Sequence, residues 1–421
     1  MCGISGFISK KYSKKDVTKM TDALSHRGPD ASGVFFDQEM GVALGHRRLS
    51  ILDLSDAANQ PMTSHCGRYT MVFNGEVYNF KEISKKFKGT SWKTSSDSEV
   101  ILEAFVNWGI DFVHQLNGMF AIAIFDTKEE MLFLFRDRMG IKPLYYFIDD
   151  EDFIFSSELK AINTIKKNKE INYDAIYAYL HLGFIPTDQT IFKNTFKLNP
   201  GAFLIIEKNK ISKKFYWKSE NKIRKEVNDN YEQCKKDLKF LLQESIKKRL
   251  ISDVPIGTFF SGGIDSSIVT AVAQEVNNSP INTFSIGFDD KKHNESIYAK
   301  KVANYLGTHH NEFILKEQDA IHELENIMDH FDEPFADSSA LPTMLVSKMA
   351  KKHVTVCLSG DGGDELFMGY GAYTWAKRIN NSILGTLRLP ISKILDISSI
   401  NRNKRAAQIF NSPIKNWKSH I

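Results

Sequence analysis

Two apolar runs, Met119-Phe-Ala-Ile-Ala-Ile-Phe125 and Met131-Leu-Phe-Leu-Phe135, are separated only by Asp126-Thr-Lys-Glu-Glu130. Each run is strand-sized and the polar residues between them form a turn, so together they predict an antiparallel pair. Neither run alternates apolar with polar. Both faces of both strands must therefore be covered, which places the pair inside a layered structure. Leu144 to Ile148 and Phe153 to Phe155, flanking Asp149-Asp-Glu-Asp152, form a second such pair. Helical stretches near Asp16–Leu24, Ser98–Trp108 and Tyr173–Leu182 supply the cover. Antiparallel sheets packed on each other with helices outside are the economical solution for residues 1–210.

The rhythm then changes. A polar, Lys-rich stretch around Tyr216-Trp217 reads as a linker over residues 211–230. Beyond it Leu238, Leu241, Leu242, Ile246 and Leu250 recur at helical spacing. Strands are expected at Val254–Phe260, Thr283–Phe288, Asn311–Leu315 and Val354–Leu358, alternating with helices at Ser266–Val276, Ser296–Leu306 and Ala340–Lys352. Strands alternating with helices imply a parallel sheet covered on both faces, here over residues 231–421.

Composition narrows the class. Hydrophobic residues are 42% and charged residues 25% of 421, the balance of an ordinary globular chain. No apolar run approaches the roughly 18–20 residues of a membrane span. The cysteines Cys2, Cys66, Cys234 and Cys357 lie far apart with no CxxC, which favours neither zinc nor a disulfide framework and suits a reducing cytoplasm. Nine Lys/Arg and one acid fall between Ala376 and Ile421. Such a tail can bind nucleic acid, but no nucleic-acid motif accompanies it, and a helical surface awaiting a packing partner is the preferred reading.

Three motifs carry chemistry. Cys2 becomes the N-terminus once Met1 is removed, and its own α-amine, with a pKa near 7.7–8.0, could then accept the thiol proton. Ser261-Gly-Gly-Ile-Asp-Ser-Ser267 follows a strand and opens a helix, where backbone N–H groups and the helix dipole attract an anion. It is not a Walker loop, since no GxxxxGK[ST] occurs. Asp265 inside it calls for a bridging cation such as Mg2+. Ser359-Gly-Asp-Gly-Gly-Asp-Glu365 closes a later strand at the same expected sheet edge, where open α/β sheets bind ligands. Asp361, Asp364 and Glu365 are its candidates for metal or acid/base work.

The Ser261–Ser267 loop resembles the pyrophosphate loop of ATP-pyrophosphatases. Together with Ser359–Glu365 and the N-terminal Cys2-Gly3-Ile4-Ser5-Gly6, it is similar to the glutamine-hydrolysing asparagine synthetases over nearly the whole chain. The resemblance implies an α+β N-terminal-nucleophile αββα sandwich, the class II glutamine amidotransferase domain, followed by a Rossmann-like α/β ATP-pyrophosphatase domain. It implies Cys2 as nucleophile, Asn74 and Gly75 as the oxyanion hole, and Arg48, Ile51, Glu76 and Asp97 as glutamine-binding residues. His26-Arg27-Gly28-Pro29-Asp30 matches a further signature, read as structural. For ATP it implies Phe260, Ser261, Gly262, Gly263, Asp265, Ser266, Ser267, Ser359 and Gly360. Ile286 aligns with an adenine contact and reads equally as a strand-core residue. Asp265 and Asp364 are the Mg2+ candidates, Asp361 the acid/base group, and Asp337-Ser338-Ser339 the acceptor pocket. Taken singly, Asn74-Gly75 is also a common turn and Ser96-Asp-Ser-Glu99 a capping box.

The implied reaction makes asparagine from aspartate, glutamine and ATP through an aspartyl adenylate, with ammonia crossing a dry channel between the sites. Another carboxylate acceptor, or a glutaminase with an inactive second half, are the alternatives. A homodimer is the oligomer the family suggests, with no nucleic-acid or membrane partner. The family pattern continues past Ile421 with an Arg-x-Pro-Phe-Leu-Asp segment and a phosphate-binding Lys. The expectation is a C-terminally incomplete plan in which glutaminase chemistry is whole and synthetase chemistry is the half at risk.

Overall fold

Gly118–Asp126 and Met131–Arg136 pair antiparallel, Phe125 opposite Leu132, in the computed structural model of the chain. The structure describes residues 1–421 apart from 168, 187, 208–209, 223–229, 289–293, 295, 372, 374–381 and 412–421. Much of the basic tail beyond Ala376 therefore lies outside the described residues.

The pair sits in the middle of a six-stranded antiparallel sheet, in the order Lys210–Phe215, Ala202–Glu207, Met131–Arg136, Gly118–Asp126, Tyr69–Val77, Met62–Thr63. A second six-stranded sheet runs Thr195–Lys197, Tyr145–Ile148, Phe153–Ser156, Gly3–Ile8, Val42–Arg48, Ala31–Asp37. Strand alternation divides the apolar residues among three cores. Ala121, Ala123 and Phe125 face Ile4, Val42, Leu44 and Phe155 between the sheets. Phe120, Ile122 and Ile124 face outward, onto Ile101 and Phe105 of the helix Asp97–Trp108. On the far side Phe7, Ala43 and Ile154 pack against Val17 and Met20 of the helix Lys14–Asp22 and Ala161 and Ile162 of Leu159–Ile165. Three cores make four layers: helix, sheet, sheet, helix. Phe105 meets Tyr69, Phe112 and Phe133 edge-on at 5.2–5.3 Å, a geometry that adds about 0.5–1.5 kcal/mol per pair beyond burial.

The linker expectation is corrected at its start. Lys210–Phe215 is an edge strand paired with Ala202–Glu207, not a connection. Its Lys-rich composition is how an exposed edge avoids further pairing, and it reads as a linker for the same reason. The helix Tyr231–Arg249 then leads to a four-stranded parallel sheet, ordered His309–Leu315, Asn282–Phe288, Ile256–Phe259, Val356–Leu358. The chain builds outward from Ile256–Phe259 in one direction and then returns to its other side. The point where the order reverses lies between Ile256–Phe259 and Val356–Leu358, and the crevice beyond their C-terminal ends is the ligand position of such sheets.

Asp332 and Glu333 fasten the halves together. Asp332 accepts the Lys160 N–H at 2.9 Å and pairs with its ammonium at 3.4 Å. Glu333 pairs with Lys197 and accepts the Ile191 N–H at 3.3 Å.

Within the first half Asp137, only 1% exposed, anchors the turn after Met131–Arg136. Its carboxylate accepts backbone N–H groups from Phe120, Met139, Ile141 and Lys142 at 3.0–3.1 Å. Asp137→Ala leaves these donors without their acceptor and is expected to cost about 3 kcal/mol or more. Urea unfolding of the variant against the native chain measures it.

Candidate active site

Cys2 precedes the strand Gly3–Ile8, and alternation puts its side chain on the inter-sheet face with Ile4. Its thiol lies in the turn after Val42–Arg48: the Leu49 N–H donates to Sγ at 3.4 Å, and Sγ lies 3.7 Å from the Leu49 carbonyl oxygen. Arg27 Nε donates to the Cys2 carbonyl at 2.9 Å. Burial pushes the thiol pKa up, and the Leu49 hydrogen bond and the N-terminal charge oppose that rise.

The facing element is the strand Tyr69–Val77. Met62–Thr63 pairs only with Met71 and Thr70, so beyond Met71 one edge of the strand has no strand neighbour. Phe120, opposite Gly75, spends its N–H and C=O on Asp137. Gly75 and Phe120 are therefore a non-hydrogen-bonded pair, and the N–H groups of Phe73, Gly75 and Val77 all point to the free edge. Gln60 Oε1 takes the first at 2.6 Å and Asp97 Oδ2 takes the third at 2.8 Å. Among the described residues nothing takes the second. Only glycine fits at 75: a Cβ would lie 2.7 Å from the Phe73 ring and 2.8 Å from Phe120 Cα.

Asn74 sits beside this free donor on the inter-sheet face. It is 0% exposed, and neither Nδ2 nor Oδ1 has a hydrogen-bond partner. A buried amide without partners costs about 1–3 kcal/mol per group, so an unpaired amide here needs a reason. A cleft of about 340 Å³, including its open mouth, is lined among others by Cys2, Arg48, Gly75, Glu76 and Asp97. Asn74 is not among its lining residues.

Two carboxyls give the cleft its charge. Glu76 is held well above the usual carboxylate range by burial and by Asp97 nearby. Asp97, 4% exposed, is pushed up to about 7 by burial, against the opposing Val77 hydrogen bond. Together they suit a cationic ligand, whose charge would favour both ionised forms.

Arg48 lines the cleft but its guanidinium is engaged elsewhere. Nη1 donates to the Ser55 carbonyl and Asn59 Oδ1 at 2.8 Å, and Nη2 to the carbonyls of Leu52 and Asp53. It shapes the loop that carries Ile51 and Leu52. Two residues of this site carry no role in the sequence reading. His46, two residues before Arg48, crosses the inter-sheet space to the Phe73 carbonyl at 3.0 Å; burial holds its pKa down to about 4, so the neutral ring donates through Nε2. Gln60 fixes Phe73 N–H and lines the cleft; no local pattern in the sequence marks it.

In the second half, Ser261 and Ser359 follow the strands Ile256–Phe259 and Val356–Leu358 at the reversal point. The helix Ile264–Val276 begins after Gly263, leaving the N–H groups of its first turn without helical partners. The Ser261 hydroxyl lies 3.0 Å from that of Ser266 and accepts the Gly263 N–H at 3.2 Å. The two loops touch: a Cβ on Gly360 would lie 2.8 Å from Ser266 N, and one on Gly363 2.5 Å from Asp265 Cγ. Gly262 has φ +81 and abuts the helix Ser296–Leu306, where a Cβ would meet Ala299 N at 2.6 Å.

Phe260 is 1% exposed and packs on Ala299 and Ala303, so its side chain belongs to the core. Ile286 is half-buried on the strand Asn282–Phe288. Ser267 lies in the first turn of its helix and donates its N–H to the Gly263 carbonyl at 3.0 Å. Asp361 is exposed and accepts the Ser359 hydroxyl at 2.9 Å. Asp337 caps the turn before the helix Ala340–Ala350 through Ser339.

No group of three or more His, Cys, Asp or Glu side chains able to hold a metal occurs among the described residues. Asp265 lies against Gly363, while the Asp364 carboxylate lies against Gly369; a cation held here would need ligand oxygens to complete it, as Mg2+ commonly does. Among those residues no helix is long and apolar enough to cross a membrane.

Comparison with known proteins agrees with this two-part geometry. Residues 1–217 match the glutamine amidotransferase domain and residues 237–418 match asparagine synthase. The chain is 43% identical over 394 residues to a putative glutamine-hydrolysing asparagine synthetase 2 of Methanocaldococcus jannaschii, covering 88% of this chain and 76% of that one. It is 36% identical over 382 residues to asparagine synthetase 1 of Bacillus subtilis, covering 89% of this chain and 59% of that one. It thus spans about three fifths of the Bacillus relative. Among solved structures, the glutamine PRPP amidotransferase of B. subtilis aligns at TM-score 0.41 and 14% identity over 74% of this chain and 81% of that one, too loosely to carry an argument. The chain belongs to the glutamine-hydrolysing asparagine synthetase family.

Proposed function

We propose that the chain releases ammonia from glutamine at Cys2 and uses it to amidate the side-chain carboxylate of aspartate, activated as an adenylate by ATP. The observation that carries the reading is the pairing of a partnerless, fully buried Asn74 amide with the free Gly75 N–H on the edge facing the Cys2 side. Gly75 shares the cleft lining with Cys2 and Asn74 is its chain neighbour; two unspent donors there suit the oxyanion that forms when the thiolate attacks an amide carbonyl. Once Met1 is gone the Cys2 α-amine is the base beside the thiol, and a proton passes through it to the leaving ammonia. Glu76 and Asp97 receive the substrate ammonium. With Nη1 and Nη2 of Arg48 on loop carbonyls, contact with the α-carboxylate falls to its Nε or requires the loop to rearrange.

In the second half the first turn of Ile264–Val276, with Ser261, Ser266 and Ser359, is proposed to cradle ATP phosphates. Asp265 and Asp364 would hold Mg2+, which when bound neutralises phosphate charge. Asp361 is the proposed acid/base group. The substrates suit a cytoplasmic enzyme, and a homodimer is proposed by family likeness alone.

One assay tests the reading: the chain with glutamine, Mg-ATP and aspartate, following glutamate, AMP and asparagine. All three products are expected. Glutamate without AMP means a glutaminase only, and AMP with a carboxylate other than aspartate reassigns the acceptor. No glutamate from protein verified to lack Met1 refutes the amidotransferase assignment.

Asn74→Ala should lower kcat for glutamate release about 10²–10³-fold while leaving Cys2 alkylation unchanged. Gly360→Ala should remove AMP formation and spare glutamate release, since the new Cβ strikes Ser266 N and the Asp265 side chain. Asp97 has a folded-state pKa of about 7 against roughly 3.9 in an unfolded chain. The folded protein holds the extra proton between those values, so stability falls as pH rises from about 4 to 7. Asp97→Asn keeps an acceptor for Val77 N–H and should flatten that part of the fall, read from urea midpoints across the window.

A further inference from the structure

Lys142 is a buried cation that the reaction outlined above does not use. The residue is 4% exposed, and its ammonium donates to the Met1 thioether sulfur at 3.1 Å. Among the described residues no carboxylate lies within ion-pair distance of it. A thioether is a weak acceptor, and an ammonium taken out of water without a counter-charge is costly. The partner it does have is Met1, the residue whose loss exposes Cys2 as the N-terminus.

The stem of Lys142 cannot swing away easily, because its backbone is pinned on both sides. Its N–H donates to Asp137 Oδ2 at 3.0 Å, and its carbonyl accepts Arg136 Nε at 2.9 Å. The same Arg136 reaches the Gly140 carbonyl at 2.8 Å, closing the turn. The ammonium therefore points at the chain start by construction.

The charges around Cys2 come from every element packed on it. The turn after the helix Lys14–Asp22 supplies Arg27, whose Nη1 pairs with Glu158 at 2.7 Å and whose Nη2 is buried without a partner, and Asp30. The turn after Met131–Arg136 supplies Lys142 and Asp137, the latter occupied by its four N–H groups. The free edge supplies Glu76, with Asp97 behind it. The strand Val42–Arg48 ends in Arg48, spent on loop carbonyls. Arg27 is thus paired with Glu158 and the terminal amine is held down to about 5 by burial, which among the described residues leaves Lys142 as the cation at the chain start without a paired carboxylate; Glu76, held well above the usual carboxylate range, is the acid of the cleft. Lys142 therefore lacks a paired counter-charge, and the Cys2 thiol, whose charge it feels, is the group able to supply one.

We propose that Lys142 is a positioning cation for the nucleophile: with Met1 removed, its buried ammonium stands against the Cys2 amine and thiol and favours the neutral amine and the thiolate. This rests on the reading of Cys2 as nucleophile. Lys142 keeps its proton throughout; in the resting site the thiol proton is lost to solvent, leaving the amine neutral and free to act as the base. Both effects follow from one positive charge in a poorly solvated site, which disfavours a neighbouring ammonium and favours a neighbouring anion. The burial-driven fall of the terminal amine to about 5 with Met1 in place, to which Arg27 and Lys142 add, runs the same way.

The test is the pH dependence of Cys2 alkylation by iodoacetamide in protein verified by mass to lack Met1. Lys142→Met, of similar length and uncharged, should raise the midpoint by about one unit, a roughly tenfold slower alkylation at pH 7. Lys142→Arg should stay near the native value. A Lys142→Met midpoint equal to the native one overturns the proposal. If Lys142→Met does not fold, Lys142→Gln is read in the same way. Glutamate release, followed in parallel, separates the two claims. An unshifted midpoint with glutamate release intact sinks the role of Lys142 alone. A shifted midpoint without glutamate release from the native protein sinks the glutaminase reading and leaves the electrostatic role standing.

Discussion

The site depends on a strand that runs out of neighbours. Tyr69–Val77 is paired along one side for its whole length, and along the other only at Thr70 and Met71. An unpaired edge in a protein interior is normally a defect, since each buried N–H without an acceptor costs free energy. Here the fold answers for two of the three exposed donors, Phe73 by Gln60 and Val77 by Asp97. His46 secures the Phe73 carbonyl from the other sheet. What remains open is Gly75 N–H and the Asn74 amide next to it. The precision of that opening comes from its neighbours: with both flanking N–H groups fixed, the Gly75 donor has little freedom to turn away. A preorganised donor stabilises developing charge because it need not reorganise when the charge appears.

The second half builds its crevice by different means. Nothing there depends on a missing strand. The sheet reverses order at Ile256–Phe259, so two chain segments leave neighbouring strand ends and have to turn in the same crevice. The turns are close enough that Gly360 and Gly363 pack directly on Ser266 and Asp265. A helix start then aims its free N–H groups into the crevice. Glycine serves contact in both halves, but in the first it makes room for a backbone donor and in the second it lets two loops pack directly on each other.

How far the sequence carries depends on whether the signal is periodic. The doubled apolar runs made the four layers legible, because a strand apolar on both faces has no other place to lie. The same alternation puts Cys2 with Ile4, His46 with Leu44 and Asn74 with Val72 on one face, so the convergence at the inter-sheet space was readable once the strands were assigned. Arg48 shows the limit. Its residue type suits a carboxylate, yet its guanidinium serves loop carbonyls, because the chain after it turns Leu52, Asp53 and Ser55 inward. A turn of that kind has no period, and Asp53 enters it with φ 55, a conformation no pattern announces. Lys210–Phe215 failed for a related reason: an edge strand facing water loses the apolar alternation that marks a strand, and its lysines then look like linker.

The loop Arg48 organises is also where the two halves meet nearest the cleft. Asp253, three residues before the strand Ile256–Phe259, donates its N–H to the Ile51 carbonyl at 3.0 Å and accepts the Asp53 N–H at 2.8 Å. Asp53 in turn accepts the Ser95 N–H at 2.7 Å, just ahead of the helix that starts at Asp97. Arg249, at the end of the helix Tyr231–Arg249, lies 4.8 Å over the Tyr78 ring, directly after the free-edge strand. The segment that enters the central parallel strand is thus bonded to the loop that lines the amide site. That same strand ends at Ser261. One short strand therefore has the Cys2 cleft at its entrance and the crevice of Ser261 and Ser359 at its exit, and a rigid displacement of Ile256–Phe259 cannot reach one without reaching the other. The clamp of Asp332 and Glu333 on Lys160 and Lys197 adds a second fastening away from the cleft. With two separate fastenings the halves resist rotation about either one, which holds the Cys2 cleft and the Ser261–Ser359 crevice in a fixed relation.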